Sequence, residues 1–184
     1  MSTTSRILIG FLIILAAGLY LFSENLTERV EREYFEAAEE SMVDTVQILA
    51  ALLESTLQDG QPLDLTHIRS AWTLAKKRPI SARIYALTKQ SLDMNVYVTN
   101  ASGVVLFDSN AGVLEGQNMS HMRDVWLTLN GYYGARSTAI PDQPGSTMYV
   151  AAPIMQNGDV HGVVSLSKAE SSLSEFCKLT RLRI

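Results

Sequence analysis

The N-terminal segment of the chain is a long apolar run. Residues 7–22 contain no charged side chain, and Arg6 directly precedes them. As a helix, this run would be roughly 24 Å long, against a hydrocarbon core of about 30 Å. It could be a cleaved signal peptide or an uncleaved signal anchor. Bulky residues at its end, without a small-x-small cleavage site, favour the anchor. The positive-inside bias then predicts a transmembrane anchor at 1–23 and an exported domain at 24–184.

A long amphipathic helix is predicted for residues 24–58, which contain neither proline nor glycine. Apolar residues recur there at steps of three and four, which places them on one helical face. The first half is rich in charged residues and the second half in apolar ones, so we expect the second half to pack on a core. The apolar residues of the first half are a candidate homodimer seam: Leu26, Val30, Tyr34 and Ala38.

The hydrophobic period changes to two near residue 95, which predicts strands. Glycine-containing and proline-containing turns divide the following sequence. The full set of expected elements is a helix at 65–77, mixed helix and loop at 80–93, strands at 95–100 and 104–108, a helix at 121–129, strands at 132–138, 147–155 and 160–167, and a helix at 169–179. This order predicts an α+β domain, with an antiparallel sheet of about five strands at 95–167 flanked by helices.

The two faces of this sheet differ in polarity, because successive strand side chains alternate between faces. One face is wholly apolar, and we expect the long helix to cover it. Its members are Met148, Val150, Ala152, Ile154, Val160, Val164 and Leu166. The other face carries hydroxyl groups and an arginine: Tyr97, Thr99, Arg136, Thr138, Tyr149, Ser165 and Ser167.

Four sequence blocks carry a resemblance to a known family. They are residues 97–109, with a turn at Gly103 followed by Val-Leu-Phe-Asp-Ser, and residues 124–129, 133–138 and 148–155. Together with the order of elements, they resemble the extracytoplasmic PAS-like (PDC, single Cache) sensor domains of bacterial receptors. The last three blocks are similar to those of carbon-source-responsive sensor histidine kinases.

The resemblance implies the ligand-sensing input region of a two-component receptor in the bacterial inner membrane, with the sensor domain in the periplasm. It also implies that residues 169–184 lead into a second transmembrane helix and a kinase core, with a cytoplasmic response regulator as partner. Catalysis would belong to that core and not to this fragment.

The polar sheet face, covered by residues 109–129, predicts a pocket for a small molecule. Arg136 could bind a carboxylate or phosphate with its planar guanidinium. Hydroxyl groups on the strands could orient the ligand, and two residues at the start of the short helix could close over it. The candidate ligand-binding residues are Arg136, Tyr149, Tyr97, Thr99, Ser165, Arg123 and His121.

Structural roles are open for the same residues. Tyr97 and Tyr149 could be core aromatics with one satisfied hydroxyl. Arg136 could pair with Asp108 or Asp124 instead of a ligand. Ser165 could be a tolerated small residue, and Arg123 a solvated helix residue.

Several other functions are disfavoured. The formal net charge is −4, without a basic stripe, which argues against nucleic acid as a partner. The single cysteine allows no internal disulfide, and the three histidines do not have metal-ligand spacing, so we expect no metal and no cofactor. No nucleophile elbow or phosphate-binding glycine loop is present. The remaining alternatives are a chemoreceptor or cyclase-type receptor and a membrane-anchored periplasmic binding protein without an effector.

Overall fold

The computed structural model describes residues 3–58, 61–84, 87–139 and 146–169. Three helices lie in these ranges: α1 (Thr3–Glu54), α2 (Thr66–Lys77) and α3 (Arg123–Leu129). The strands are β1 (Ala82–Ile84), β2 (Leu87–Lys89), β3 (Met94–Asn100), β4 (Val105–Asp108), β5 (Gly134–Ala139), β6 (Ser146–Gln156) and β7 (Asp159–Ala169). Two compact units divide the chain, Met1–Ala38 and Glu39–Ile184.

A five-stranded antiparallel sheet forms the centre of the second unit, in the order β4-β3-β7-β6-β5. This confirms the predicted α+β class and strand number. The β6–β7 hairpin turns through Asn157 and Gly158, both with positive φ. Such a two-residue turn matches the twist of the strands, which explains the asparagine-glycine pair.

The main core lies between one sheet face and the second half of α1. Met42, Val46, Ala50 and Leu53 are buried on α1 at helical spacing. They meet the predicted apolar face, of which Val150, Ala152, Ile154, Val164 and Leu166 are all fully buried. Burying such side chains contributes roughly 1.5–3 kcal/mol each and fixes which face α1 covers. Val160 was expected in this set but is only half-buried, because the β6–β7 register shifts between Ile154 and Met155.

Residues 80–93 differ from the prediction of mixed helix and loop. In the described parts of this range, β1 pairs with β2 in a small separate sheet, and Ala82, Arg83 and Ile84 are exposed. An exposed pair of strands of this length has little apolar alternation, so its sequence carries no clear strand signal.

The predicted C-terminal helix and the predicted N-terminal membrane anchor both stay predictions. The expected C-terminal helix falls almost entirely on residues 170–184, which lie outside the described residues. Among the described residues, no helix is both long enough and apolar enough to cross a membrane.

Candidate functional site

A buried carboxylate, Asp124, lies between α3 and the second sheet face. The helix turns Asp124, Val125 and Thr128 inward, and Asp124 is fully buried. A second, smaller hydrophobic cluster contains Val125, the next residue along α3, together with Tyr97, Ala151 and Val163 of the sheet. An ionised carboxylate in such surroundings requires charged or hydrogen-bonding partners.

Three side chains from the sheet supply those partners. The Arg136 Nε donates to Asp124 Oδ1 at 2.6 Å. The Tyr97 hydroxyl donates to Oδ2 at 2.5 Å, and the Ser165 hydroxyl donates to the same oxygen at 2.7 Å. Tyr97 and Ser165 face each other across β3 and β7, so adjacent strands deliver both donors to one oxygen.

Arg136 is also held from its other sides. Tyr149 is its cross-strand partner on β6, and the guanidinium carbon lies 3.6 Å from the centre of the Tyr149 ring. This is a cation–π contact. Arg136 Nη1 donates to the Thr138 hydroxyl two residues along β5. The Arg136 side chain is 12% exposed, so the open edge of the arrangement lies at Arg136, Tyr149 and Thr138. Asp124, Arg136, Tyr97, Ser165 and Tyr149 are called the Asp124 cluster below.

Two groups of the cluster, Tyr97 and Arg136, have raised pKa values. Burial, reinforced by the negative charge of Asp124, raises the pKa of Tyr97 far above its usual value, so the hydroxyl remains a donor. For Arg136, burial is the largest single influence and lowers the pKa, but the charges of Asp124 and Tyr97 and the hydrogen bonds to them together outweigh burial, so the net pKa is raised. Arg136 is therefore a cation in contact with the Asp124 carboxyl group.

The structure brings together four of the seven predicted ligand residues: Arg136, Tyr149, Tyr97 and Ser165. Thr99 is fully buried, but its hydroxyl donates to the carbonyl of Asn100 at 3.0 Å. Arg123 and His121 are exposed near the start of α3.

Asp124 was not among the predicted ligand residues, although it was one of two proposed structural partners for Arg136. The other, Asp108, instead accepts the backbone N–H groups of Asn110 and Leu114. One sequence signal could have identified Asp124 as a site residue. It is a carboxylate within the apolar stripe of a short helix, and such a residue needs a buried partner.

No metal-binding group is evident among the described residues, where no three His, Cys, Asp or Glu side chains could share an ion. The open edge of the Asp124 cluster presents the Arg136 guanidinium, the Tyr149 ring and the Thr138 hydroxyl. Such an arrangement can orient a small polar ligand at its open edge.

The sequence is similar to that of the sensor protein CreC from Escherichia coli (strain K12). The identity is 37% over 183 residues, which cover 97% of this chain and 38% of CreC. The chain is a relative of CreC. It spans well under half of the length of that protein, and no family model matches it. The predicted resemblance to the sensor region of a sensor kinase is confirmed.

Solved structures of bacterial sensor domains have the same fold as this chain. The sensor domain of the Vibrio cholerae histidine kinase DctB superposes with a TM-score of 0.56 at 12% identity, covering 86% of this chain and 59% of that one. The ligand-binding domain of the Campylobacter jejuni chemoreceptor Tlp3, in complex with 4-methylisoleucine, superposes with a TM-score of 0.54 at 12% identity, covering 82% and 59%. The fold is that of a Cache/PDC-type sensor domain, as predicted.

Proposed function

We propose that this CreC relative is the ligand-sensing input region of a membrane sensor histidine kinase. The observation that carries the proposal is the 37% identity to CreC over 97% of the chain. In this proposal, residues 1–23 anchor the chain in the inner membrane and the sensor domain lies outside the cytoplasm. A kinase core that this chain does not include acts on a response regulator, and the receptor is a homodimer.

The ligand we propose is a small molecule with a carboxylate or phosphate group, bound at the open edge of the Asp124 cluster. Arg136 and Tyr149 supply a cation and an aromatic face there, and Thr138 supplies a hydroxyl. Since Asp124 already neutralises Arg136, the ligand must rely on hydrogen bonds and stacking as much as on charge.

Contacts between α1 and the strands of the cluster support a route for the signal. The Tyr133 hydroxyl, just before β5, donates to Glu39 on α1 at 2.6 Å. The Glu54 carboxylate on α1 accepts the backbone N–H of Met155 on β6 at 2.8 Å. A ligand that moves β5 and β6 would therefore strain α1. It shifts the receptor only by its differential affinity for two conformations.

The first prediction concerns this ligand. A thermal-shift screen of the whole chain in detergent micelles, against small carboxylates, phosphates and sugars, should give a concentration-dependent increase in Tm for at least one acidic compound. A ligand present at about one hundred times its Kd stabilises by about 2.7 kcal/mol, which is readily measured.

The Arg136→Ala variant should lose this increase, whereas Arg83→Ala, an exposed arginine on β1, should keep it. An undiminished increase in Arg136→Ala would place the ligand elsewhere. No increase with any compound would count against direct sensing.

A further inference from the structure

The tip of the β6–β7 hairpin carries an asparagine followed directly by a glycine. Two such Asn-Gly pairs occur in the chain, Asn130–Gly131 and Asn157–Gly158. In each pair the backbone nitrogen of the glycine can attack the amide carbon of the asparagine side chain, because glycine has no Cβ to hinder the approach. The two pairs lie in different surroundings, and these surroundings decide which pair reacts.

The Asn157–Gly158 pair forms the whole connection of the hairpin. Gln156 on β6 pairs with Asp159 on β7, so only two residues lie between the strands. Asn157 and Gly158 are both exposed, and their φ angles are 52° and 92°. Among the described backbone hydrogen bonds of turns and loops, none is donated by the N–H of Gly158. An exposed tip of this size can change its conformation without moving the core.

The other pair lies in the C-terminal turn of α3, where three successive N–H groups are engaged. The N–H of Asn130 donates to the carbonyl of Leu127 at 3.1 Å, and that of Gly131 donates to the carbonyl of Thr128 at 3.1 Å. The N–H of Tyr132 also donates to the carbonyl of Leu127, at 2.9 Å. Attack by the Gly131 nitrogen therefore requires this turn to open first.

We propose that Asn157 is a site of spontaneous deamidation, a covalent modification that needs no enzyme. The backbone nitrogen of Gly158 forms a bond to Asn157 Cγ, and the bond from Cγ to Nδ2 breaks. The side-chain nitrogen leaves as ammonia, which takes up the proton that the Gly158 nitrogen gives up. Water then opens the resulting succinimide ring at one of its two carbonyls, and the product is aspartate or isoaspartate. This modification depends neither on the proposed ligand nor on a kinase.

Both products change the end of the hairpin that contacts α1. Each adds a negative charge two residues before Asp159, and isoaspartate also adds a carbon atom to the backbone of a two-residue turn. A lengthened turn no longer matches the twist of the flanking strands. Met155 lies two residues before Asn157, and its N–H donates to the Glu54 carboxylate on α1 at 2.8 Å. The modification therefore acts next to a contact between the sheet and α1.

Peptide mass spectrometry of the whole chain in detergent micelles tests this second prediction. The folded chain is kept in warm, mildly alkaline buffer and is digested with pepsin at intervals, since acid stops the reaction. We expect the amide-to-acid mass change at least about tenfold faster at residue 157 than at residue 130, where hydrogen bonds must break first. In a parallel sample unfolded in guanidinium chloride, the two rates should agree within about threefold.

The Asn157→Gly variant is the matched control, since a Gly-Gly pair supports the same kind of turn. The mass change in the hairpin peptide should disappear in this variant, and the rate at residue 130 should stay the same. The proposal is overturned if residue 157 of the folded chain reacts less than about tenfold faster than residue 130. It is equally overturned if the unfolded chain shows the same difference between the two residues, or if the mass change of the hairpin peptide persists in Asn157→Gly.

Discussion

Asp124 determines the geometry of the candidate site because one carboxylate is shared by three donors from three strands. Arg136 comes from β5, Tyr97 from β3 and Ser165 from β7. Removing the negative charge leaves a guanidinium that is mostly buried without its partner. Breaking a buried ion pair from one side typically costs about 3–5 kcal/mol.

The Asp124→Asn variant tests this energy. Asparagine keeps the shape but loses the charge, and its amide hydrogens face donors instead of acceptors. We expect the free energy of unfolding to decrease by about 3 kcal/mol, measured by urea denaturation. Asp159→Asn, an exposed aspartate at the start of β7, should change it by less than about 0.5 kcal/mol. Equal, small effects in both variants would mean that the cluster is not a major source of stability.

The sequence predicted most of this site, because strand alternation alone places Tyr97, Arg136, Tyr149 and Ser165 on one face. It could not decide what they meet there. The orientation of α3 on the sheet selects Asp124 over Asp108 and leaves Arg123 and His121 exposed. That orientation depends on tertiary packing, which no local pattern contains.

Among the structural elements, α3 and β5 approach each other closely at Gly134. Gly134 begins β5, and a Cβ placed there would overlap Thr128 Oγ1 and the carbonyl oxygen of Asp124. Glycine is therefore required for α3 to lie near enough for Asp124 to reach Arg136.

A Gly134→Ala substitution should push α3 away from β5. Overpacking of this kind costs about 1–3 kcal/mol, and backbone atoms cannot move aside as a flexible side chain can. We expect a decrease in Tm and, if the cluster binds the ligand, a weaker thermal shift at the same ligand concentration.

The same change at Gly10, where an added Cβ meets nothing within 4 Å, is the control and should leave Tm of the sensor domain unchanged. A Gly134→Ala chain with unaltered Tm would show that α3 and β5 tolerate a larger separation.

At the level of the whole chain, the two faces of one sheet have different roles. One face packs against α1 in an apolar core, and the other face carries the Asp124 cluster and packs against α3. The spacing of apolar residues and the positions of turn residues were sufficient to predict the five strands and the face that α1 covers. They were insufficient for β1 and β2, since exposed Ala82, Arg83 and Ile84 bury no alternating face. The membrane anchor and the homodimer seam remain predictions, as does the C-terminal helix.

The most direct test of the sensor assignment uses the relative whose sequence supports it. A hybrid of Escherichia coli CreC carries this chain in place of the matching region, and its autophosphorylation is measured in membrane vesicles. We expect a phosphorylated hybrid whose activity changes at least about threefold with Asp124→Asn and stays the same with Asp159→Asn, at equal protein levels. Identical activity in both variants, and in a CreC protein from which the region is deleted, would contradict the proposal that this domain governs a kinase.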